Sequence, residues 1–462
     1  MSKSMEAPAW LEQARSQSYI ASALRTLTSR EFTRTEARDV SRNRAASRPS
    51  DSHRFRLSTL QAHVSRDLVN HYSVTAGFLP KNQDKNRYLQ LEPYDRTRVV
   101  VGGNSSDEGE AEYSEGRYLN ANWVQERFGQ RWWIASQAPL PHTAHAFLTL
   151  FRERVHLPRA ADASTSNAPA SVHIRTVVQL TQNVESGRCK AHAYFPLDPG
   201  VTLIVPPEEG CHDLPYKVTL VASQEHESAR CIQNTVSFVP VAWARPHAST
   251  SDDEDGGADN ESGDIDENGL TFGEEVGEQV TFTHLLYAAW PDHGVPRPED
   301  RASLLAFIRL VHSTNVGTQS LGGPKADPDP PIIVGCSAGI GRTGSFIALS
   351  SLLRVFNLIA HPADSTTHPA SSINTGSSPK RFLPSIFRKE TSTQSSIEDS
   401  PVPAHLTSPL GPLPETFKDD LVVQEVDALR EQRPGMVQRD EQVLLIYSSL
   451  FSAFQTASDS PA

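Results

Sequence analysis

The sequence predicts an α/β (α+β) fold, a central twisted mixed β-sheet flanked by helices. Strand-like runs fill the middle of the chain, and helical periodicity dominates its C-terminal part. Between them, an apolar run leads into a glycine-rich turn and then a helical run, as where a strand feeds a helix. The predicted strands include residues 98–101, 131–135, 175–180, 216–221 and 281–287. The predicted helices after the turn are residues 342–358, 420–431 and 439–453.

The N-terminal part alternates apolar and charged positions at helical spacing over residues 8–40, which predicts one or two helices. Residues 1–56 are therefore expected to form an arginine-rich, basic helical extension. A second helical run leads into the main domain, which is expected to span residues 57–456. The apolar positions of that run are Leu57, Leu60, Val64, Leu68 and Val69.

Two stretches of unusual composition are expected to be insertions in the main domain. Residues 249–278 contain no lysine or arginine, and residues 252–255 are all acidic, so like charges should keep the stretch solvated. Residues 361–414 are rich in serine, threonine and proline. They contain dipeptides that suit proline-directed phosphorylation, namely Ser378-Pro379, Ser400-Pro401 and Ser408-Pro409.

Composition favours an intracellular protein. The formal net charge of -12 disfavours nucleic acid as a general partner, although it leaves local basic regions free to act. No apolar run approaches the roughly 20 residues that cross a bilayer, and the start does not resemble a signal peptide. The 4 cysteines are scattered without metal-ligand spacing, which predicts a reducing compartment and no metal. We therefore expect a cytoplasmic, monomeric protein without a cofactor, for which access to the nucleus stays open.

Residues 331–349 contain a candidate anion site. An apolar run ends at Cys336, and a helical run begins near Arg342. Loop amides and the positive end of a helix dipole favour an anion between them. The same field favours the thiolate form of Cys336, and Arg342 can offer phosphate a bidentate fork. The loop amides of this cradle belong to Ser337, Ala338, Gly339, Ile340 and Gly341.

Two other motifs fit the same residues. Gly339, Gly341 and Gly344 form G-x-G-x-x-G, the dinucleotide-binding fingerprint, which requires a second strand ending in an acidic residue about 20 residues on. The chain instead enters its Ser/Thr/Pro-rich stretch there. Gly335, Ser337 and Gly339 also fit the G-x-S-x-G elbow of hydrolases, which needs a later histidine. The later histidines all lie in low-complexity sequence: His361, His368 and His405.

A second motif upstream supports the phosphate cradle. Trp290-Pro291-Asp292 precedes the cysteine loop, and together the two motifs resemble the cysteine-based protein tyrosine phosphatase family, of the non-receptor, intracellular type. In that family a mobile Trp-Pro-Asp loop closes an acid over the cysteine. Further family signatures follow in the expected order: Lys85-Asn86-Arg87-Tyr88, Tyr118 to Asn122, Ile134 to Pro139, Val178 to Thr181 with Glu185, Lys190 and Tyr194 to Pro196, and Gln432 to Gln438 with Gln442.

The resemblance implies hydrolysis of phosphotyrosine. Cys336 would attack phosphorus in line, Arg342 would hold the phosphate, and Asp292 would protonate the leaving oxygen. Asp292 would then act as the base that hydrolyses the cysteinyl-phosphate, and the Thr343 hydroxyl would stabilise the departing thiolate.

Other residues would bind substrate or support these groups. Tyr88 would form one wall of a deep slot beside Asn86. Gln438 and Gln442, at the i,i+4 spacing of one helical face, would position water. Glu185 would pair with Arg342, although an exposed turn acid is almost equally compatible with its position. Lys190 is as readily a surface lysine as a binding residue. The remaining supporting residues are Trp290, Pro291 and Arg433.

Three positions depart from the family pattern. Gly335 stands where the family usually has a histidine that holds the loop, so we expect less thiolate, a looser loop and reduced turnover. Gln90 replaces an aspartate that grips the peptide backbone. Arg439 stands where threonine is common, with unknown effect.

The resemblance implies phosphotyrosyl proteins as substrates and a role in kinase signalling. Residues 380–389 mix basic and apolar side chains like a kinase-docking peptide, which leaves mitogen-activated protein kinases open as partners, although such short strings also occur by chance. A catalytically weak or inactive phosphotyrosine-binding pseudophosphatase is the alternative that Gly335 keeps open. A dual-specificity enzyme is disfavoured, because such enzymes generally lack the wall formed by residues 86–88.

Overall fold

The computed structural model describes residues 6–46, 64–102, 116–158, 171–243, 272–292, 294–317, 329–359 and 406–459. The helices of these residues are α1 (Ala9–Gln13), α2 (Gln17–Ala46), α3 (Arg66–His71), α4 (Thr75–Phe78), α5 (Pro80–Gln83), α6 (Ala144–Arg152), α7 (Arg301–Gly317), α8 (Gly341–Val355), α9 (Leu421–Gln432) and α10 (Asp440–Asp459). The strands are β1 (Arg98–Val101), β2 (Arg117–Gln125), β3 (Trp132–Gln137), β4 (Val155–His156), β5 (Ser171–Val172), β6 (Thr176–Gln179), β7 (Val184–Glu185), β8 (Arg188–Cys189), β9 (Thr202–Val205), β10 (Tyr216–His226), β11 (Cys231–Trp243), β12 (Phe272–Glu275), β13 (Val280–Tyr287) and β14 (Ile332–Cys336).

The predicted fold class is confirmed, because a mixed sheet carries helices on both faces. The sheet order is β1-β2-β3-β14-β6-β13-β11-β10-β9, with β12 paired to β11. Strands β3, β14, β6 and β13 run parallel in the centre, and the flanking pairs are antiparallel. Ligands of such sheets bind at the carboxyl ends of the parallel strands. Cys336 occupies that position at the end of β14.

Apolar side chains form a separate core on each face of the sheet. One core joins α7, α8, α9 and α10 to the sheet and includes Phe307, Phe346 and Ile446. The other lies under α6, where the rings of Phe151 and Phe282 stack at 4.2 Å. The sheet is thus covered on both sides, as the near-continuous apolar run of β14 requires.

Helix α8 packs unusually close to the chain that follows α9. A Cβ at Gly344 would lie 2.5 Å from the backbone nitrogen of Val437. Only glycine fits at this contact, so Gly344 determines how closely α8 packs against the chain around Val437. The start of α8, which borders the cysteine loop, is positioned by the same contact.

The N-terminal helix α2 buries an arginine stripe. The side chains of Arg34, Arg38 and Arg42, spaced at i,i+4, are 0%, 7% and 9% exposed. Arg34 pairs with two carboxylates of α9, Arg38 donates to a tyrosine hydroxyl, and Arg42 pairs with Glu92. The expectation that local basic regions are free to act is therefore wrong for these three arginines, because internal acceptors hold them.

The expected insertions fall largely outside the described residues, as do Leu57 and Leu60 of the predicted second helical run. The described end of the acidic stretch is not a solvated loop, since β12 pairs with β11 there. The sequence prediction also named no strand at β2 or β11 and no helix at α7.

Candidate active site

The loop after β14 forms a cradle between a strand end and a helix start. Cys336 closes β14 and is 6% exposed, and α8 begins five residues later at Gly341. Ile340, at the N-cap of α8, provides no side-chain hydrogen bond to the first turn. The amides of that turn therefore remain available to an anion, as the sequence predicts.

Glycine is required where this loop passes the end of β3. Gly339 has a φ of +69°, and a Cβ there would overlap the carbonyl of Ser136. At Gly335, a Cβ would lie 2.8 Å from the same Ser136 oxygen. A side chain at position 335 would require β3 and β14 to move apart. The observed spacing of the two strands therefore suits glycine at this position.

Arg342 projects from the first turn of α8 with both ends of its guanidinium engaged. Its Nη1 and Nη2 donate to the two carboxylate oxygens of Glu185 at 2.7 and 2.8 Å. Nη1 also donates to the Leu180 carbonyl, and Nη2 to the Pro291 carbonyl at 2.8 Å. Burial alone would lower the pKa of Arg342, but Glu185 and the charge of Cys336 raise it. The guanidinium is therefore fixed in place and positive.

A tight hairpin brings Glu185 and Lys190 to the cradle. Strands β7 and β8 pair across Ser186 and Gly187, whose φ values of 49° and 73° suit the two-residue turns of antiparallel hairpins. Lys190 follows β8, and its Nζ lies 2.6 Å from Oδ1 of Asp292. One hairpin thus contacts both sides of the cradle.

Asp292 lies in the loop after β13, next to the cradle. Trp290 anchors this loop by inserting its side chain into the core. Oδ1 of Asp292 also lies 3.8 Å from Nη2 of Arg342. The hydrogen bond from Lys190 holds the pKa of the Asp292 carboxyl well below its usual range. Without substrate, Asp292 is therefore a carboxylate.

Arg433 supports the cysteine loop from below. Its guanidinium donates to the carbonyls of Gly339 at 2.7 Å and Ala338 at 3.1 Å. It also donates to the side-chain oxygens of Asn122 and Asn120 on β2, at 2.8 and 2.9 Å. Burial lowers the pKa of Arg433 to about 10. The residue nevertheless stays charged at neutral pH and ties the loop to the sheet.

Tyr88 stands at the rim of the cradle. It is 37% exposed, and its hydroxyl lies 2.7 Å from the Ser337 hydroxyl, which donates to the Lys190 carbonyl. The preceding Arg87 holds this loop by donating to the carbonyls of residues 138 and 139. The ring is thus placed beside the cradle, as expected for one wall of a slot.

Asn86 does not direct its side chain at the cradle. Its amide nitrogen donates to the carbonyls of Gly77 and Asn82, and its oxygen accepts from Tyr118 and Asn120. The side chain is fully used within the loop. Asn86 therefore holds the loop that carries Tyr88, and its side chain does not face the cradle.

The two glutamines occupy different elements. Gln438 is exposed and precedes α10, whereas Gln442 lies within that helix. The single helical face that the i,i+4 spacing predicts is therefore wrong, because the chain between them is not continuously helical. Gln442 is buried over the cradle, since a Cβ at Gly341 would lie 2.8 Å from its Nε2. Thr343 is also buried, and its hydroxyl has no hydrogen-bond partner among the described residues.

Sequence reasoning gave no roles to Asn120 and Asn122, which hold Arg433, or to Gln137, whose side chain bonds the backbone of residues 85 and 87. A signal for the asparagines was present. Their spacing of two on a strand places both amides on one face, and buried amides need partners.

In the part of the chain that the structure describes, no cluster of histidine, cysteine, aspartate or glutamate could hold a metal ion. None of the described helices has the length and apolarity to cross a membrane.

Comparison with known families adds an independent observation. The sequence model of the protein-tyrosine phosphatase family matches residues 82–155 and 259–364. The matched residues include Tyr88, Asp292, Cys336 and Arg342, which the fold brings together.

Curated relatives carry names from the same family. Human tyrosine-protein phosphatase non-receptor type 4 is 29% identical over 279 residues, which cover 60% of this chain and 21% of that protein. Human receptor-type tyrosine-protein phosphatase H is 29% identical over 288 residues, covering 62% and 19%. Human phosphatidylinositol phosphatase PTPRQ is 28% identical over 285 residues, covering 62% and 9%. The chain spans about a fifth or less of the length of these relatives. The family match, the relatives and the assembled cradle all support assignment of this chain to the protein-tyrosine phosphatase family.

Proposed function

We propose that this chain hydrolyses phosphotyrosine on proteins through a cysteinyl-phosphate intermediate. One observation carries the proposal: Arg342 bonds both Glu185 and the Pro291 carbonyl, so the loop that bears Asp292 is already closed against the cradle. A protein that only captures phosphotyrosine gains nothing from holding an acid there.

The chemistry follows from the placement of these groups. Cys336 attacks phosphorus as the thiolate, and the phosphate oxygens lie against Arg342 and the free amides of the loop and α8. The bond from phosphorus to the tyrosyl oxygen breaks, and Asp292 gives that oxygen a proton. Water then attacks phosphorus and gives a proton to Asp292, the bond from phosphorus to the Cys336 sulfur breaks, and phosphate and the thiolate are released.

Four neighbouring residues contribute to these steps or to their selectivity. Gln442, buried over the cradle, and the exposed Gln438 position the attacking water. The Thr343 hydroxyl, which lacks a partner among the described residues, donates to the departing thiolate. The rim position of Tyr88 sets the depth of the slot, so a phosphoserine side chain stops short of Cys336.

The first prediction is selective turnover of a phosphotyrosyl peptide over its phosphoseryl counterpart. Cys336→Ser should reduce turnover to the level of the blank, because it removes the thiolate. Asp292→Asn should reduce it about a hundred- to ten-thousand-fold, because the leaving oxygen loses its proton donor. Phosphate release, followed over about three pH units from pH 5 to 8, measures each outcome.

Binding by Cys336→Ser provides the control, since the variant should still bind the phosphotyrosyl peptide. The contradicting outcome is that the unmodified protein binds the phosphotyrosyl peptide but does not hydrolyse it. That result would make the protein a phosphotyrosine-binding pseudophosphatase and rule out the catalytic proposal.

The second prediction concerns the ion pair of Lys190 and Asp292. Lys190→Met should raise the pKa of Asp292, because the hydrogen bond that favours its charged form disappears. The alkaline limb of the kcat/KM profile, where the acid loses its proton, should then move to higher pH by about one unit or more. Lys190→Arg keeps the charge and should leave the limb in place. An unmoved limb in Lys190→Met would mean that this pair does not set protonation of the acid.

The third prediction concerns the close approach of β14 to β3. Gly335→Ala should lower the free energy of unfolding by about 1–3 kcal/mol, because its Cβ forces the strands apart. Gly317→Ala, at the end of α7 where a Cβ meets open space, is the matched control and should not destabilise. Urea denaturation measures both. Equal stability of the two variants would show that the strands separate without cost.

A Gly335→His variant meets the same carbonyl, so restoring the family histidine should not by itself raise turnover to that of other family members.

We also propose a cytoplasmic protein that acts in kinase signalling, with mitogen-activated protein kinases among its partners. The support is the basic and apolar pattern of residues 380–389, which lie outside the described residues. Deleting residues 380–389 should lower turnover of a doubly phosphorylated mitogen-activated kinase while turnover of a short phosphopeptide stays constant. A proportional change in both would remove the docking proposal.

A further inference from the structure

We propose that Ser408 is a phosphorylation site, and that its phosphate releases residues 406–411 from their seat between α2 and α9. These residues are named the docked segment here. The proposal rests on the surroundings of Ser408 and is independent of the catalytic function.

The docked segment lies against the protein through both apolar and polar contacts. Leu406 is buried, and Leu410 packs beside the cluster that contains Tyr72. Arg30 of α2 donates to the Gly411 carbonyl at 2.9 Å and to the Ser408 hydroxyl at 3.2 Å. The segment thereby joins the first long helix to the C-terminal part of the chain.

The Ser408 hydroxyl is a donor to a buried carboxylate. Its Oγ donates to Oε1 of Glu431 at 2.7 Å and accepts from the backbone of Leu410 at 3.2 Å. Glu431 is 1% exposed. Burial opposes its ionisation, but a hydrogen bond from His71 and the charge of Arg34 lower its pKa to about 2. The acceptor that Ser408 faces is therefore negative at neutral pH.

A phosphate cannot occupy this seat. Phosphorylation replaces the donated hydrogen by a group carrying about 1.5 to 2 negative charges. That group would face the Glu431 carboxylate where little solvent screens the repulsion. The nearest cations are already engaged, since Arg30 bonds Asp427 at 2.9 Å and Arg34 bonds both Asp427 and Glu431. Displacement of the docked segment relieves the repulsion.

The sequence around Ser408 suits a proline-directed kinase. Pro409 follows it directly, both flanking residues are exposed, and Ser408 itself is partly exposed. Local opening of a surface segment of this kind gives a kinase access. The Ser408 oxygen then attacks the γ-phosphorus of ATP, and the bond from that phosphorus to the β–γ bridging oxygen breaks. ADP leaves, and the hydroxyl proton of Ser408 passes to the catalytic base of the kinase. The new phosphate prevents the segment from docking again.

The first experiment places phosphoserine genetically at position 408 of the full chain. The matched control carries phosphoserine at Ser400, which also precedes a proline. Hydrogen exchange of the docked segment and the thermal midpoint are measured. Relative to the control, phosphoserine at 408 should speed exchange in residues 406–411 and lower the midpoint by about 2 °C or more. Equal exchange and midpoints in the two proteins would overturn the proposal.

The Ser408→Ala variant distinguishes the effect of the added charge on hydrogen exchange from the effect of losing the hydrogen bond to Glu431. It removes the donor without adding charge, so its effect on exchange should be clearly smaller than that of phosphoserine. An equal effect would overturn the electrostatic displacement. Ser408→Glu is a second variant of smaller charge, and it should shift exchange in the same direction.

The second experiment incubates the full chain with ATP and an active mitogen-activated protein kinase, followed by mass spectrometry. Ser408 should become phosphorylated. Modification of Ser400 that goes to completion while Ser408 stays unmodified would overturn the assignment of the site.

Discussion

The cysteine loop depends on one buried cation, Arg433. Within the described residues, each acceptor that its guanidinium bonds is neutral: two loop carbonyls and the side-chain oxygens of Asn120 and Asn122. Burying a cation without a carboxylate partner is costly, and the lowered pKa of about 10 expresses that cost. Arg433 therefore holds a positive charge beneath the loop that follows Cys336.

This dependence extends to the helix that carries Arg433. Gln432, the last residue of α9, exchanges two hydrogen bonds with the backbone of Gln125 on β2. Glu431, one residue earlier, receives Arg34 of α2. The three consecutive residues 431–433 thus connect the N-terminal helix, the sheet and the cysteine loop. The N-terminal helix also contacts the loop that carries Tyr88, since Arg42 donates to the Gln90 carbonyl. An element that looks peripheral in sequence therefore packs into the structure around the site.

The sequence predicted the fold class and the main groups of the candidate site because those features are local. An apolar run before a glycine-rich turn indicates a strand and a cradle, and Trp290-Pro291-Asp292 marks the loop of the expected acid. The pairing of Glu185 with Arg342 was an expectation that needed coordinates, since 157 positions separate the two residues. The burial of the arginines of α2 could not be read from the chain, because their partners lie up to several hundred residues away. The relation of Gln438 to Gln442 was misjudged for a local reason: Val437 has a φ of 53°, and α10 begins only at Asp440, so Gln438 lies before the helix.

The ion pair of Lys190 and Asp292 bears on how Asp292 could obtain the proton that it donates in the proposed reaction. A proton donor held as a carboxylate cannot begin the reaction, and Lys190 keeps it so in the free protein. A phosphate ester bound in the cradle brings negative charge beside Arg342. The Asp292 carboxylate is close to the same guanidinium, since its Oδ1 lies 3.8 Å from Nη2 of Arg342. That charge competes for both cations and disfavours the neighbouring carboxylate. In the proposed reaction, substrate binding would therefore promote protonation of Asp292, and the acid would become active only when a phosphate occupies the cradle.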